Sequence, residues 1–153
     1  MAKSIIFLCE GNICRSPTAE MVFAYLAKQA GVEDRFIISS KGTTSSTAGE
    51  DLYSYSKEVL LAHHIPILPH KAERITVAQY QAADLVIVME NYNAVLLKRA
   101  IFARNFDKVH RLLEYTDRES KEIDDPYYTR DFETAFQDIY EGCEGLLKAL
   151  CEE

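Results

Sequence analysis

Residues 9–17 read CEGNICRSP and follow directly on the apolar run Ser4–Leu8. This run is short and rich in β-branched residues, which predicts a strand buried on both faces of a parallel sheet. Gly11 and Asn12 are residue types that easily accept a positive φ, so the segment can curl into a tight loop with several N–H groups aimed at one centre. Such a loop favours binding of an anion.

The end of the segment predicts the start of a helix. Ser16 is a typical N-cap residue and Pro17 a typical first helical residue, so the partial positive charge of a helix N-terminus would lie under the loop. Arg15 contributes a planar, two-pronged donor that matches a phosphate group. Cys9 would lie at the floor of this positive pocket, where the N–H groups, Arg15 and the Ser16 hydroxyl favour its thiolate. The segment therefore predicts a nucleophilic cysteine that faces a bound phosphoryl group.

Cys9 and Arg15 also have a purely structural interpretation, as a small buried hydrophobe and a solvated cation at a helix start. A cysteine and an arginine at this spacing often occur together by chance. The strand before them, the Gly-Asn pair between them and the Ser-Pro pair after Cys14 favour the catalytic interpretation. The GxxxxGK[ST] pattern of a nucleotide-binding loop is absent.

Composition and charge restrict the classes of function. A length of 153 residues, with 48% hydrophobic and 27% charged residues, is typical of one globular domain. No apolar stretch approaches the ~20 residues of a membrane span, and the start lacks the apolar core of a secretory signal, so we expect no membrane association and a cytoplasmic location. The net charge of −7 argues against a nucleic-acid partner and gives no long-range attraction for anionic substrates. Capture of phosphate must therefore be local.

The four cysteines are Cys9, Cys14, Cys143 and Cys151, and they form neither a disulfide framework nor a CxxC pair. A metal site built from them and a histidine is disfavoured by their spacing, so we expect no metal and no cofactor. Cys143 and Cys151 fit a core. Cys14 could form a disulfide with an oxidised Cys9 or could merely pack under the loop, and the residues leave both open.

Strand and helix patterns alternate along the rest of the chain. Strands are predicted at Ser4–Leu8, Phe36–Ser40, Leu85–Met89 and Val109–Leu113. Helices are predicted over residues 17–30, 52–62, from 76 onwards, 93–103 and 132–150, the second with an apolar face of Leu52, Tyr55, Val59 and Ala62. This order predicts an α/β fold: one domain over residues 1–153, with a four-stranded parallel sheet, helices on both faces and the phosphate-binding loop after the first strand. Sites in such folds lie at the carboxyl ends of strands, so Cys9 is expected to meet the polar segment Tyr115–Asp131 there.

Two motifs resemble those of the low-molecular-weight protein tyrosine phosphatases. CEGNICRSPTAE, residues 9–20, is similar to the family's phosphate loop, and DDPYY, residues 124–128, is similar to its Asp-Pro-Tyr acid loop before a final helix. The resemblance covers nearly the whole chain. It implies metal-independent hydrolysis of phosphotyrosine in proteins or peptides, with inorganic phosphate or similar oxyanions also bound in the loop.

The resemblance implies roles for individual residues. Cys9 would attack phosphorus, Arg15 and the loop amides would hold the phosphate oxygens, and Asp125 would serve as general acid and then base. The residues expected to contact the substrate are Glu10, Gly11, Asn12, Ile13, Cys14, Ser16, Tyr127 and Tyr128. Asn12, Ser16 and His70 would be supporting residues, with His70 hydrogen-bonded to Asn12, and the resemblance favours the protective disulfide for Cys14. In the family the two tyrosines form an aromatic wall and are phosphorylation sites.

The residues alone leave two of these roles open. Asp124 competes with Asp125 as the acid, and either carboxylate could merely cap a turn; the resemblance selects the aspartate directly before Pro126, which holds it in an extended conformation. His70 taken alone fits an ordinary surface histidine.

The sequence departs from the family pattern at three places. Glu90 stands where the family usually has Asp, which leaves the role of this carboxylate open. The chain has no Trp, which removes the family's frequent aromatic wall near Ser46, and Tyr53 is a candidate substitute. Glu10 places an acid at the mouth of the loop and should disfavour acidic peptides.

Three other functions fit the sequence less well. An arsenate reductase needs further thiols around the third strand, and the segment Gln79–Arg99 contains none. Protein-arginine phosphatases of this fold carry Thr at the position of Ile13, whose apolar side chain suits an aromatic substrate better. A non-catalytic phosphotyrosine-binding module is disfavoured because Cys9, Arg15 and Asp125 are all present.

Overall fold

One parallel sheet organises the computed structural model, which describes residues 1–102 and 105–153. In these residues the sheet has four strands, Lys3–Cys9 (β1), Phe36–Gly42 (β2), Leu85–Val88 (β3) and Val109–Arg111 (β4), in the order β2-β1-β3-β4. The helices of the same ranges are Arg15–Gln29 (α1), Ser54–Ala62 (α2), Val77–Ala82 (α3), Asn91–Ile101 (α4), Pro126–Thr129 (α5) and Phe132–Cys151 (α6). Short 3₁₀ turns span Glu33–Arg35 and Leu112–Tyr115. The predicted α/β fold, with its four parallel strands, is confirmed.

The central strand β1 has a hydrophobic core on each face, because alternate side chains of a strand point in opposite directions. Ile5 and Phe7 pack into the core formed with α1, α2 and α6. Ile6 and Leu8 pack into a second core formed with α3 and α4. The prediction that this strand is buried on both faces is confirmed.

The sheet order places the loop after β1 at the point where the direction of winding reverses. β2 pairs with one side of β1, and β3 pairs with the other. Crossovers on the two sides of β1 lie on opposite faces of the sheet, which leaves a crevice at its carboxyl end. Residues 9–16 occupy that crevice.

Several element boundaries differ from the prediction. The first helix begins at Arg15, with Cys14 at its N-cap position and no side-chain cap, so the expected Ser16 cap is wrong. The fourth strand ends at Arg111, where the chain turns into a 3₁₀ segment. The fourth helix ends at Ile101 before a left-handed residue, and the predicted end at Ala103 lies outside the described residues.

The predicted apolar face of the second helix is confirmed at Val59, which packs against the core, and is wrong at Tyr55 and Ala62, which are exposed. The helix begins only at Ser54, so Leu52 is buried from outside it. The positions that it buries are Ser56 and Leu60, whereas Tyr55 is 45% exposed. The prediction counted the helical period from Leu52, which lies before the helix, so it did not identify the face that the helix packs against the core.

Across residues 1–102 and 105–153, none of the helices combines the length and the apolar composition that crossing a membrane requires.

Candidate active site

The loop over residues 9–16 holds its shape through one left-handed residue and one close backbone approach. Asn12 has a φ of 58°, whereas Gly11, for which a positive φ was equally expected, does not adopt one. The glycine that the loop requires most is Gly42 at the end of β2. A Cβ there would lie 2.8 Å from the carbonyl oxygen of Glu10, closer than real Cβ contacts.

The Cys9 thiol lies at the end of β1 and is 3% exposed. Its Sγ is 3.0 Å from the Ser16 hydroxyl oxygen and 3.4 Å from the Ser16 backbone nitrogen, whose N–H donates to it. The Ser16 oxygen also accepts a hydrogen bond of 2.9 Å from the Asn12 amide, and the acceptors within reach of its own proton are the Cys9 sulfur and, at 3.4 Å, the Lys41 carbonyl oxygen. The side chain that the sequence predicts as the helix cap instead contacts the cysteine sulfur.

The Asn12 side chain is completely buried and joins three segments. Its amide nitrogen also donates to the Ser40 hydroxyl at 3.1 Å, and its amide oxygen accepts from the Glu73 backbone at 3.0 Å. His70 Nε2 donates to the Asn12 carbonyl oxygen at 2.6 Å, so the expected contact between these residues is present, through the backbone. Asn12 and Ser16 therefore face the interior, and their side chains do not line the substrate pocket.

Sequence reasoning did not identify Ser40 and Glu20 as part of this site. The Ser40 hydroxyl donates to the Glu20 carboxylate at 2.7 Å. Burial raises the pKa of Glu20, while the Ser40 hydrogen bond and the nearby His70 and Lys41 oppose that rise. The one available signal was a serine at the carboxyl end of a predicted strand, beside the phosphate loop.

Arg15 is 3% exposed and is held by three acceptors. Its Nη1 donates to the Ile123 carbonyl oxygen at 2.7 Å and to the Glu90 carboxylate, and its Nη2 lies 3.4 Å from the Asp125 carboxylate. Burial alone would lower the pKa of Arg15, but the charges of Cys9, Asp125 and Glu90 outweigh it and raise that pKa above its ordinary value. Glu90, whose role the sequence left open, is thus an ion-pair partner of this arginine.

The acid-bearing turn reaches the pocket through Asp125. Its backbone is extended, with φ of −75° and ψ of 112°, and its carboxylate accepts from the Tyr127 N–H at 3.0 Å as the N-cap of α5. The buried Ile123 anchors the turn to the sheet through its N–H, which donates to the Met89 carbonyl oxygen at 3.0 Å. Asp124 is exposed and does not line the phosphate pocket.

These residues surround a cavity of about 230 Å³. The residues that line it are Cys9, Glu10, Gly11, Ile13, Cys14, Arg15, Ser46, Thr47, Asp125, Tyr127 and Tyr128. The two tyrosines form one wall, with ring centroids 5.3 Å apart in a T-shaped arrangement. Ser46 and Thr47 contribute hydroxyl groups elsewhere in the lining, and Tyr53 lies outside it, so Tyr53 does not replace the missing aromatic wall.

A second cavity, of about 490 Å³, adjoins the first and shares Glu10, Arg15, Asp125 and Tyr128 with it. We call it the acidic cleft. Its carboxylates belong to Glu10, Glu90, Glu122, Asp124 and Asp125. Arg15 is the cation among its lining residues, and it already has carboxylate partners.

Cys14 lines the pocket beside Cys9 as a free thiol. Burial raises the pKa of Cys14 to about 12, the charge of Cys9 adds to that rise, and a hydrogen bond from Ser56 opposes it. Cys143 is completely buried in the core, as predicted, and Cys151 is only partly buried. Over residues 1–102 and 105–153 there is no group of three or more His, Cys, Asp or Glu side chains arranged to hold a metal ion.

Comparison with known proteins gives a family and close structural relatives. The sequence model of one family, described as low molecular weight phosphotyrosine protein phosphatase, matches residues 4–153. The low molecular weight protein-tyrosine-phosphatase YfkJ of Bacillus subtilis is 33% identical over 98% of this chain and 97% of its own length. The low molecular weight phosphotyrosine protein phosphatase of Gallus gallus is 34% identical over 99% of this chain and 95% of its own.

Solved structures show the same similarity. The crystal structure of YfkJ gives a TM-score of 0.95 at 32% identity and covers 99% of this chain and 96% of that one. A protein tyrosine phosphatase from Entamoeba histolytica, crystallised with Hepes in its active site, gives a TM-score of 0.90 at 25% identity over 99% and 98% of the two chains. The similarity therefore extends over the whole fold.

Proposed function

This chain belongs to the low-molecular-weight phosphotyrosine protein phosphatase family, and on that premise we propose that it hydrolyses phosphotyrosine in proteins through a phosphocysteine on Cys9. The observation that carries the proposal is the convergence of Cys9, Arg15 and Asp125 on one cavity of about 230 Å³. These side chains supply a nucleophile, a fixed positive charge and a proton donor, which are the groups that cleavage of an aryl phosphate requires.

In the first step, the Cys9 thiolate attacks phosphorus and the bond from phosphorus to the tyrosine oxygen breaks. Negative charge spreads over the three non-bridging oxygens, which the loop N–H groups stabilise. Both hydrogens of Arg15 Nη1 have protein acceptors, which leaves Nε and Nη2 as the donors that can bind the phosphate. Asp125 gives its proton to the leaving oxygen, so tyrosine departs neutral and Asp125 becomes a carboxylate.

In the second step, water attacks the phosphorus of the phosphocysteine while the Asp125 carboxylate accepts a proton from it. The bond from phosphorus to sulfur breaks, inorganic phosphate forms and the Cys9 thiolate returns. The Ser16 hydroxyl and N–H lie within 3.0 and 3.4 Å of that sulfur, so they stabilise it as a leaving group.

The pocket walls favour an aromatic substrate. Tyr127 and Tyr128 offer ring faces to a phenyl group, and Ile13 adds an apolar side chain. A guanidino group would need a hydrogen-bond acceptor on the pocket wall at residue 13, and the aliphatic side chain of Ile13 has no such acceptor. We therefore assign phosphotyrosine, rather than phosphoarginine, as the substrate class.

Turnover of para-nitrophenyl phosphate in EDTA tests the reaction, and paired phosphotyrosine and phosphoarginine peptides test the substrate class. We expect turnover to persist in EDTA and the phosphotyrosine peptide to be preferred. Cys9→Ser should abolish turnover yet still bind inorganic phosphate, because a hydroxyl is a far weaker nucleophile while the loop donors remain. Near wild-type turnover in that variant would refute a phosphocysteine, and preference for phosphoarginine would refute the substrate assignment.

A further inference from the structure

Four aromatic rings join the acid-bearing turn to the start of α2 and α6. Tyr53 and Phe132 are stacked, with centroids 5.7 Å apart and ring planes at 14°. Tyr127 meets Tyr53 edge-on at 6.0 Å, and Tyr55 lies 5.8 Å from Tyr53 and 5.4 Å from Phe132. We call these four residues the ring cluster.

The guanidinium of Arg130 covers the ring cluster. Its central carbon lies 5.2 Å from the ring centroid of Tyr55, 5.5 Å from that of Phe132 and 5.9 Å from that of Tyr53. These distances allow cation–π attraction to three rings at once. Its Nη1 also donates to the Tyr127 carbonyl oxygen at 3.3 Å, which ties the side chain to the turn that bears it.

The backbone of Arg130 supports a specific role for this side chain. Arg130 ends α5 with a φ of 62°, a left-handed conformation that glycine or asparagine adopts more easily. An arginine at such a position bears conformational strain, which its side-chain contacts must offset.

The ring cluster is also attached to the phosphate loop. The Tyr53 N–H donates to the Ile13 carbonyl oxygen at 2.8 Å. Tyr53 thus has its backbone on the loop that carries Cys9 and Arg15, and its ring against the turn that begins with Asp125. The contacts form a continuous path from the nucleophile's loop to the acid's turn.

We infer that Arg130 is a positioning residue for Asp125: by clamping the turn Pro126–Arg130 onto Tyr53, Tyr55 and Phe132, it sets the distance between the general acid and the phosphate loop. The inference rests on the proposed function. Arg130 does not line the pocket, so it acts through the turn and not on the substrate. Its loss should leave phosphate binding intact and impair proton transfer.

The central test compares Arg130→Ala with wild type on aryl phosphates of graded leaving-group basicity. Alanine keeps a Cβ, so the left-handed backbone stays strained, while the guanidinium and the two methylene groups that carry it are lost. We expect kcat/KM, which reports the step that releases the phenol, to fall about 5- to 20-fold for phenyl phosphate, a loss well short of removing the acid altogether. For a dinitrophenyl phosphate, whose phenolate needs little protonation, kcat/KM should change less than about twofold. Inhibition by inorganic phosphate should stay unchanged.

Two further variants separate positioning from general stabilisation. Arg130→Lys keeps a cation near the rings and should recover part of the rate. In an Asp125→Asn background, Arg130→Ala should cause no additional loss, because the group that it positions is already absent. Arg35→Ala, at an exposed arginine before the amino end of β2 and so at the end of the sheet away from the site, is the matched control and should leave all rates unchanged.

An equal loss for all leaving groups, an undiminished loss in the Asp125→Asn background, or a lower melting temperature with unchanged kinetics would each overturn the inference. A wild-type protein inactive on every aryl phosphate would refute the proposed function itself, and the positioning role with it. An active wild type with kinetically silent Arg130→Ala would refute the positioning role alone.

Discussion

The two cysteines of the phosphate loop have opposite surroundings. The Cys9 sulfur lies 3.0 Å from the Ser16 hydroxyl oxygen and 3.4 Å from the Ser16 backbone nitrogen. Burial raises the pKa of Cys14 to about 12, so Cys14 is a neutral thiol at physiological pH. On the proposed function, one loop would thus hold the nucleophile and a neutral thiol that does not compete with it.

If Cys14 resolves an oxidised Cys9, the disulfide step should accelerate with pH. Peroxide converts the Cys9 thiolate to a sulfenic acid, the Cys14 thiolate attacks that sulfur, and hydroxide leaves as water after protonation. Well below its pKa of about 12, the thiolate fraction of Cys14 increases about tenfold per pH unit. We expect up to about a tenfold faster disulfide step at pH 8 than at pH 7, measured by acid quench and mass spectrometry.

Cys14→Ser is the control for that experiment. It should accumulate sulfenic acid and then irreversibly oxidised Cys9, with poorer recovery by added thiol. A disulfide rate independent of pH, or equal recovery in the variant, would contradict the resolving role.

Asp125 is distinguished from Asp124 by position alone. Asp125→Asn should reduce kcat/KM by about 10²- to 10⁴-fold for an aryl phosphate with a basic leaving group, and less for an acidic phenol. Asp124→Asn is the matched control and should have a much weaker effect, because Asp124 is exposed outside the phosphate pocket. Steady-state rates over a leaving-group series decide the assignment. A larger loss at Asp124, or a loss independent of the leaving group, would place the acid elsewhere.

At the scale of elements, α1 and β2 are linked beneath the phosphate loop by the hydrogen bond from Ser40 to Glu20. Burial raises the pKa of Glu20 above the 4.5 of a free side chain, so the folded protein binds this proton more tightly than the unfolded chain does. The stability contributed by the bound proton is complete below the unfolded pKa and is lost as pH rises through the folded pKa.

Glu20→Gln should remove this dependence while keeping an oxygen that can accept from Ser40. Relative to wild type, the variant should therefore gain stability as pH rises from about 4.5 towards neutrality. Urea unfolding of both proteins at several pH values measures the difference in their free energies of unfolding. The other carboxylates are common to both proteins, so their contributions cancel in this difference. A difference that stays constant across this range would show that Glu20 ionises alike in the folded and unfolded chains.

Local patterns predicted the elements well and their exact functions less well. The apolar runs around Phe7 and Ile87 gave the buried strands, because a doubly covered parallel sheet selects such runs. The Ser-Pro signal suggested a cap at Ser16, but a tertiary contact with Cys9 takes that hydroxyl instead. The N-cap preference of serine describes local hydrogen bonding within one helix, so it cannot include a contact with a residue on another element, such as Cys9.

At the scale of the whole molecule, the net negative charge and the acidic cleft both favour positively charged peptides over negatively charged ones. A phosphotyrosine peptide with lysines beside the phosphotyrosine should have a KM about 3- to 10-fold lower than the same peptide with glutamates at low salt. Raising the salt to about 0.5 M should narrow the difference through screening. Glu10→Gln should reduce the difference in KM between the two peptides at low salt. Glu152→Gln, remote at the end of α6, should leave that difference unchanged. Equal KM values for the two peptides would contradict this role of the cleft.

The long-range parts of the site are those that sequence reasoning could not supply. Cys9, Arg15 and Asp125 came from motifs, but the support of Arg15 by Ile123 and the clamp of Arg130 on Tyr53 join positions far apart in the chain. No local spacing encodes such pairs. These pairs depend on the order of the strands in the sheet, and a single sequence predicts only the class of fold.

The central place of β1 in the sheet also bears on how the chain matures. The segment that bears Cys9 leaves the ribosome early, yet β1 gains its second neighbour only when Leu85–Val88 emerge, and Arg15 gains its Ile123 acceptor later still. A nascent chain that carries the complete CEGNICRSP motif therefore lacks the supports that fix Arg15 and has not yet made Asp125. On the proposed function, we expect activity towards phosphate esters only late in synthesis, after residue 125 has been added.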